Sequence, residues 1–138
     1  MRTIEFRGKS IATGEWLYGD LVHRDEVYIF PENGTDSPDR YEVIHDTIGQ
    51  FTGLHDCKGR EIYEGDIVLI PKYGNCLVMW SGYGWGFHTV EQEVYPDGSM
   101  QYRPIGDYRF IFGQALLVGN IHDNPDLMKR SEQQSTHQ

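Results

Sequence analysis

Short apolar stretches alternate with polar and glycine-bearing ones along this chain, with a spacing of two rather than 3.6 residues. Ile4 and Phe6 alternate with Thr3, Glu5 and Arg7, which predicts a first strand, since successive strand side chains point to opposite faces. A turn region over 8–14 leads to Trp16 and Tyr18 and, beyond Gly19-Asp20, to Leu21 and Val22, a second strand. Val27–Phe30 predicts a third. The stretch 31–39 holds two prolines and no other apolar residue and reads as a loop, after which strand character resumes over 41–44.

Residues 49–53 read as a tight segment, with Phe51 between glycines. Residues 55–59 predict a turn in which Asp56 caps and Gly59 adopts positive φ. Ile62 and Tyr63, then Glu64-Gly65-Asp66, then 67–70 suggest a bend feeding a strand. A turn over 71–75 precedes strands at 76–80 and 90–95, the latter ending at Pro96-Asp97-Gly98. The last strands fall at 108–112 and 115–118. Asn124-Pro125-Asp126 is a helix-start signal, with Asn124 as cap and Pro125 at the first helical position, so a short C-terminal helical turn follows. No segment carries a long helical period, and the class is mainly β, a single domain over 1–128 with a polar, disordered tail at 129–138.

Tyr18-Gly19-Asp20-Leu21-Val22 echoes Tyr63-Glu64-Gly65-Asp66-Ile67-Val68. Convergent turn chemistry in a β protein is the preferred explanation; the alternative is that both segments open equivalent strands of a small barrel.

Composition sharpens this picture. A chain of 138 residues is long enough for one core without disulfides or a structural metal. Its hydrophobic share of 38% sits below the usual range of about 45–50%, which predicts a compact core with long polar loops. Net charge is −9 and unevenly placed: residues 1–14 carry +2, residues 15–46 carry −7 from two basic and nine acidic side chains, and the remainder carries −4. An acidic belt repels phosphate backbones and anionic membranes, so non-specific nucleic-acid binding is disfavoured. Cys57 and Cys76 form no CxxC pair and read as reduced thiols of a cytoplasmic protein; no signal peptide or apolar run of about 20 residues is present.

The run IGQFTGLHDCKGREIYEGDIV over 48–68 resembles the central signature of the YopX-type proteins of bacteriophages and prophages. IEFRGKSIATGEWLYGDLV over 4–22 looks like that family's opening. Val118-Gly119-Asn120-Ile121 with Asn124-Pro125-Asp126-Leu127 looks like its ending. The resemblance spans nearly the full chain, is least close over 73–103, and implies a β-rich fold with a small SH3-like or YopX-like barrel plus N-terminal strands and hairpins. It further implies phage or prophage origin and no assigned catalytic residues.

Three groups of residues could carry chemistry. Tyr83, Trp85 and Phe87 share one side of an extended segment, with Gly82, Gly84 and Gly86 on the other, so the rings either fill the core or, with Trp80, form a binding surface. His45-Asp46, His55-Asp56 and His122-Asp123 pair good metal ligands, but neighbours on a strand face opposite ways and no HxH or HExxH spacing occurs; surface or structural roles are expected unless two pairs meet in space. Cys57 lies two residues after His55, and Glu61, Glu64 and Asp66 sit beside Lys58 and Arg60, a combination that reads as a solvated turn.

The function these observations favour is a non-catalytic interaction module, with no cofactor, no metal, and a protein partner or second copy of itself on the other side. A basic partner would suit the acidic 15–46 region. A nucleic-acid-binding barrel is the alternative, its rings at Trp80, Tyr83, Trp85 and Phe87 stacking bases and Arg103 and Arg109 meeting phosphate. A metal-dependent enzyme ranks third.

Overall fold

The computed structural model describes residues 4–34, 38–71, 73–80, 87–104 and 114–128, with residues 80, 87–94 and 100–104 described by their main chain. The protein is mainly β, and among the described residues no helix reaches seven residues. The chain divides into two compact units, Met1–Gly53 and Leu54–Gln138.

In the first unit, β1 (Phe6–Lys9), β2 (Trp16–His23), β3 (Val27–Phe30) and the start of β4 (Gly49–His55) form an antiparallel sheet in the order β3-β2-β1-β4. Val27, Ile29 and Val43 make its buried core, with Phe6, Leu17, Leu21 and Ile48 packed against them. The period-two pattern puts Leu17 and Leu21 on the core face of β2 and leaves Tyr18 and Asp20 exposed on the other. The opposite edge is closed by residues 42 and 43, since Glu42 bridges Tyr28 and the Val43 amide donates to the Val27 carbonyl at 3.0 Å.

Gly19 is fixed by space rather than by a turn. A Cβ there would lie 2.1 Å from the Phe30 carbonyl oxygen and 3.0 Å from the Pro31 Cα. The glycine sits inside β2, at φ 157°, a positive φ that itself favours glycine. Gly65, at φ 93°, instead forms the bend between β5 (Glu61–Tyr63) and β6 (Asp66–Ile70). The two Gly–Asp segments are therefore not equivalent, and one of them is not a turn.

In the second unit, β6, β7 (Gly74–Trp80), β8 (Phe87–Val94), β9 (Met100–Pro104) and β10 (Leu116–Asn120) form an antiparallel sheet in the order β10-β6-β7-β8-β9. Both of its faces are covered around β6. Val68 and Ile70 pack with Ile62, Cys76, Val78 and Ala115 on one side. Ile67 packs with Leu77 and Met128 on the other, where the 3-10 turn Pro125–Met128 supplies the cover.

Several expectations are corrected. The described strands form two antiparallel sheets and no closed barrel, because alternation marks strands but not where a sheet closes. Residues 41–44 do not form a strand: Tyr41 ends the 3-10 turn Pro38–Tyr41, and the next residues reach to two different partners, the Val43 amide to Val27 and the Ile44 amide to Lys9. Residues 49–53 are not a tight turn but the first part of β4, where Gly49 and Phe51 face inward in alternation with Gln50 and Thr52. β9 was hidden by its terminal proline, which weakens a strand reading. The Asn124 side chain accepts the Asn120 amide at 3.2 Å, which ties the start of the helical turn to the end of β10. The expected strand at 108–112 and the tail at 129–138 lie outside the described residues.

Candidate functional site: an acidic aromatic groove

The exposed face of the first unit's sheet carries a groove of about 400 Å³ lined by Ile4, Glu5, Tyr18, Gly19, Asp20, Phe30, Pro31 and Glu32. Register explains how residues so far apart in sequence meet. Phe6 pairs with Gly19, which brings Glu5 to the level of Asp20, and Asp20 pairs directly with Phe30. Tyr18 is 44% and Ile4 60% exposed, so apolar surface here faces solvent. Glu5, Asp20 and Glu32 place three carboxylates around that surface.

The neighbouring electrostatics have the same sign. Tyr28 precedes Phe30 by two residues on β3, its ring stacked at 6.1 Å between centroids. Burial, then the carboxylates of Asp25, Glu42, Asp39 and Glu26, push its phenol above the ordinary tyrosine value. At the other end of the β1–β2 pair, the Arg7 guanidinium lies 4.7 Å and the Lys9 ammonium 5.7 Å from the Trp16 ring centroid. The face thus already holds cations over an aromatic ring, where the ring's negative face attracts them.

The second unit contains a different cluster. Asp56 is buried at 5% exposure and accepts the Lys58 and Arg60 amides at 2.9 and 2.8 Å, Arg60 Nε at 3.0 Å and the Leu117 amide at 2.9 Å. Arg60 Nη2 donates to the Leu117 carbonyl at 2.9 Å, and the Cys57 amide donates to the Ala115 carbonyl at 2.8 Å. The turn therefore occupies main-chain groups of β10 on the side away from β6, which protects an edge strand from pairing with another chain. Burial would raise the Asp56 pKa, but the hydrogen bonds from Leu117, Arg60 and Lys58 outweigh it and bring it down to about 2. The expected cap at Asp56 and the left-handed Gly59, at φ 83°, are both present.

The remaining candidates separate. His45 Nδ1 and Asp46 Oδ1 lie 3.3 Å apart with both side chains largely exposed. Asp56 is engaged with Arg60. Near the C-terminal turn, the Asn120 side chain accepts the His122 and Asp123 amides. Among the described residues, no three His, Cys, Asp or Glu side chains gather as metal ligands. Cys57 is exposed and Cys76 buried, both as free thiols, and burial pushes the Cys76 thiol up to about 11. Trp80 and Phe87 are cross-strand partners at the end of β7 and β8, whereas Tyr83 and Trp85 lie outside the described residues.

The groove itself was not anticipated. The signal available was the charge of −7 over 15–46, but only strand register joins Glu5 of the basic N-terminal stretch to Asp20 and Glu32.

A family model described as YopX protein matches residues 5–129. The chain belongs to the YopX family. This YopX-family chain is also similar to the solved structure of protein EF1440 from Enterococcus faecalis, with 23% identity and a TM-score of 0.51, over 94% of this chain and 100% of that one. That likeness is one of fold. No curated protein matches the chain. Among the described residues, no helix is long and apolar enough to cross a membrane.

Proposed function

We propose that this YopX-family protein is a non-catalytic interaction module, a phage- or prophage-encoded accessory protein of the bacterial cytoplasm, whose first unit captures a basic segment of a partner protein. The observation that carries the reading is the groove of β1, β2 and β3, in which Glu5, Asp20 and Glu32 surround the solvent-facing Tyr18 and Ile4. Apolar contact supplies affinity in such a groove, while the carboxylates select charge and accelerate encounter. Binding on the face also fits the outer edges of β3 and β10, which carry bridges and side-chain hydrogen bonds of their own. The sequence resemblance to phage and prophage proteins supports the proposed origin.

The test is a tagged pull-down from lysate of a phage-carrying host, with and without nuclease, using the wild-type protein beside a Glu5→Gln/Asp20→Asn/Glu32→Gln variant. A partner that survives nuclease and is lost with the variant supports the module. Nucleic acid that co-purifies equally with both proteins favours the alternative reading, in which Trp80, Tyr83, Trp85 and Phe87 stack bases.

A further inference from the structure

The groove is built to distinguish the two basic side chains. We infer that its ligand is an arginine of an extended partner segment, held with the guanidinium plane against Tyr18 and Phe30 and its N–H edge on the groove carboxylates. This specificity rests on the groove being the partner site, as proposed above.

Three observations carry it. The apolar and the acidic elements are interleaved rather than segregated: Asp20 follows Tyr18 on the same face of β2 and pairs with Phe30 of β3. A planar cation can therefore meet a ring with its face and a carboxylate with its edge at once, which a guanidinium does and an ammonium does not. The volume of about 400 Å³ lies in the range of small-ligand sites, about 300–1,000 Å³, and accommodates one long side chain with the main chain beside it. Charge complementarity selects the cation: Glu5, Asp20 and Glu32 line the groove with no lysine or arginine among the described lining residues, and Asp20 and Glu32 are exposed. The same sheet face offers an internal precedent for cation–ring contact, since the Arg7 guanidinium lies 4.7 Å and the Lys9 ammonium 5.7 Å from the Trp16 ring centroid.

The experiment is an NMR titration of the full-length 15N-labelled protein with two acetylated and amidated peptides, Gly-Ser-Arg-Ser-Gly and Gly-Ser-Lys-Ser-Gly. The expected result is movement of the amide signals of residues 18–20, Phe30 and Glu32, with the arginine peptide binding about fivefold more tightly, a preference that Tyr18→Ser removes while the rest of the spectrum keeps its dispersion. Tyr18 is exposed, so this variant leaves the core intact. Equal affinity of the two peptides overturns arginine selectivity and leaves the cation-binding groove standing. Absence of shifts at residues 18–20, Phe30 and Glu32 with either peptide at millimolar concentration overturns both.

Discussion

The buried Asp56 carboxylate accepts the main-chain amide of Leu117, a residue 61 positions away, at 2.9 Å. Through this bond a five-residue turn is tied to the edge of a sheet, and Arg60 completes the arrangement on the Leu117 carbonyl. Replacing Asp56 with Ala leaves the Leu117, Lys58 and Arg60 amides without their acceptor and the Arg60 guanidinium without its carboxylate, with the Leu117 carbonyl still in reach. The expected loss is on the order of 3 kcal/mol, read by urea denaturation. A loss below about 0.5 kcal/mol, the size of an ordinary surface substitution, would show that the turn does not hold the edge.

The same carboxylate sets an acid limit. Its folded pKa of about 2 lies below the ordinary 3.8, so its contribution is fully present above pH 4 and is lost as pH falls through the folded value. A shift of this size corresponds to about 2 kcal/mol. Stability of the wild-type protein should therefore fall between about pH 4 and pH 2, more steeply than that of Asp56→Asn. Parallel curves would contradict the assignment.

Two glycines of positive φ differ in the space around them. Gly19→Ala drives a methyl into the Phe30 carbonyl and should destabilise by on the order of 3 kcal/mol. Gly14→Ala meets open space, and only its φ of 75° opposes the change, at about 1 kcal/mol. Chemical denaturation of the two variants under the same conditions checks the order, and a reversal would remove the close approach of β2 and β3 as the reason for Gly19.

The thiols should also differ. Cys57 is exposed, whereas Cys76 is enclosed by Ile62, Val68, Ile70, Val78 and Ala115, with its thiol pushed up to about 11. A disulfide reagent at neutral pH should modify one thiol in the native protein and both in denaturant, since the thiolate is the reactive form. Rapid native modification of Cys76 would mean that this core opens readily.

Much of the fold is legible from local signals. Val27–Phe30 is the strand that its apolar and aromatic residues predict, and Glu64-Gly65-Asp66 bends between β5 and β6 as its turn residues require. The Asp56 cap follows from Asx-turn chemistry in the turn at 55–59. What escaped depends on distant residues. Gly19 looks like a turn glycine until the Phe30 carbonyl is seen against it, and residues 42 and 43 look like a strand until their partners are found on two different elements. The groove is the extreme case, because its three carboxylates come from three separate segments and only strand pairing brings them together.

The most direct test of the proposed function is fluorescence anisotropy with a fluorescein-labelled decapeptide of alternating arginine and serine, titrated with the wild-type protein and with Glu5→Gln/Asp20→Asn/Glu32→Gln at low and high salt. The account predicts saturable binding to the wild-type protein that weakens with salt, and a loss of about tenfold or more in affinity for the variant. Equal binding by the two proteins would contradict it.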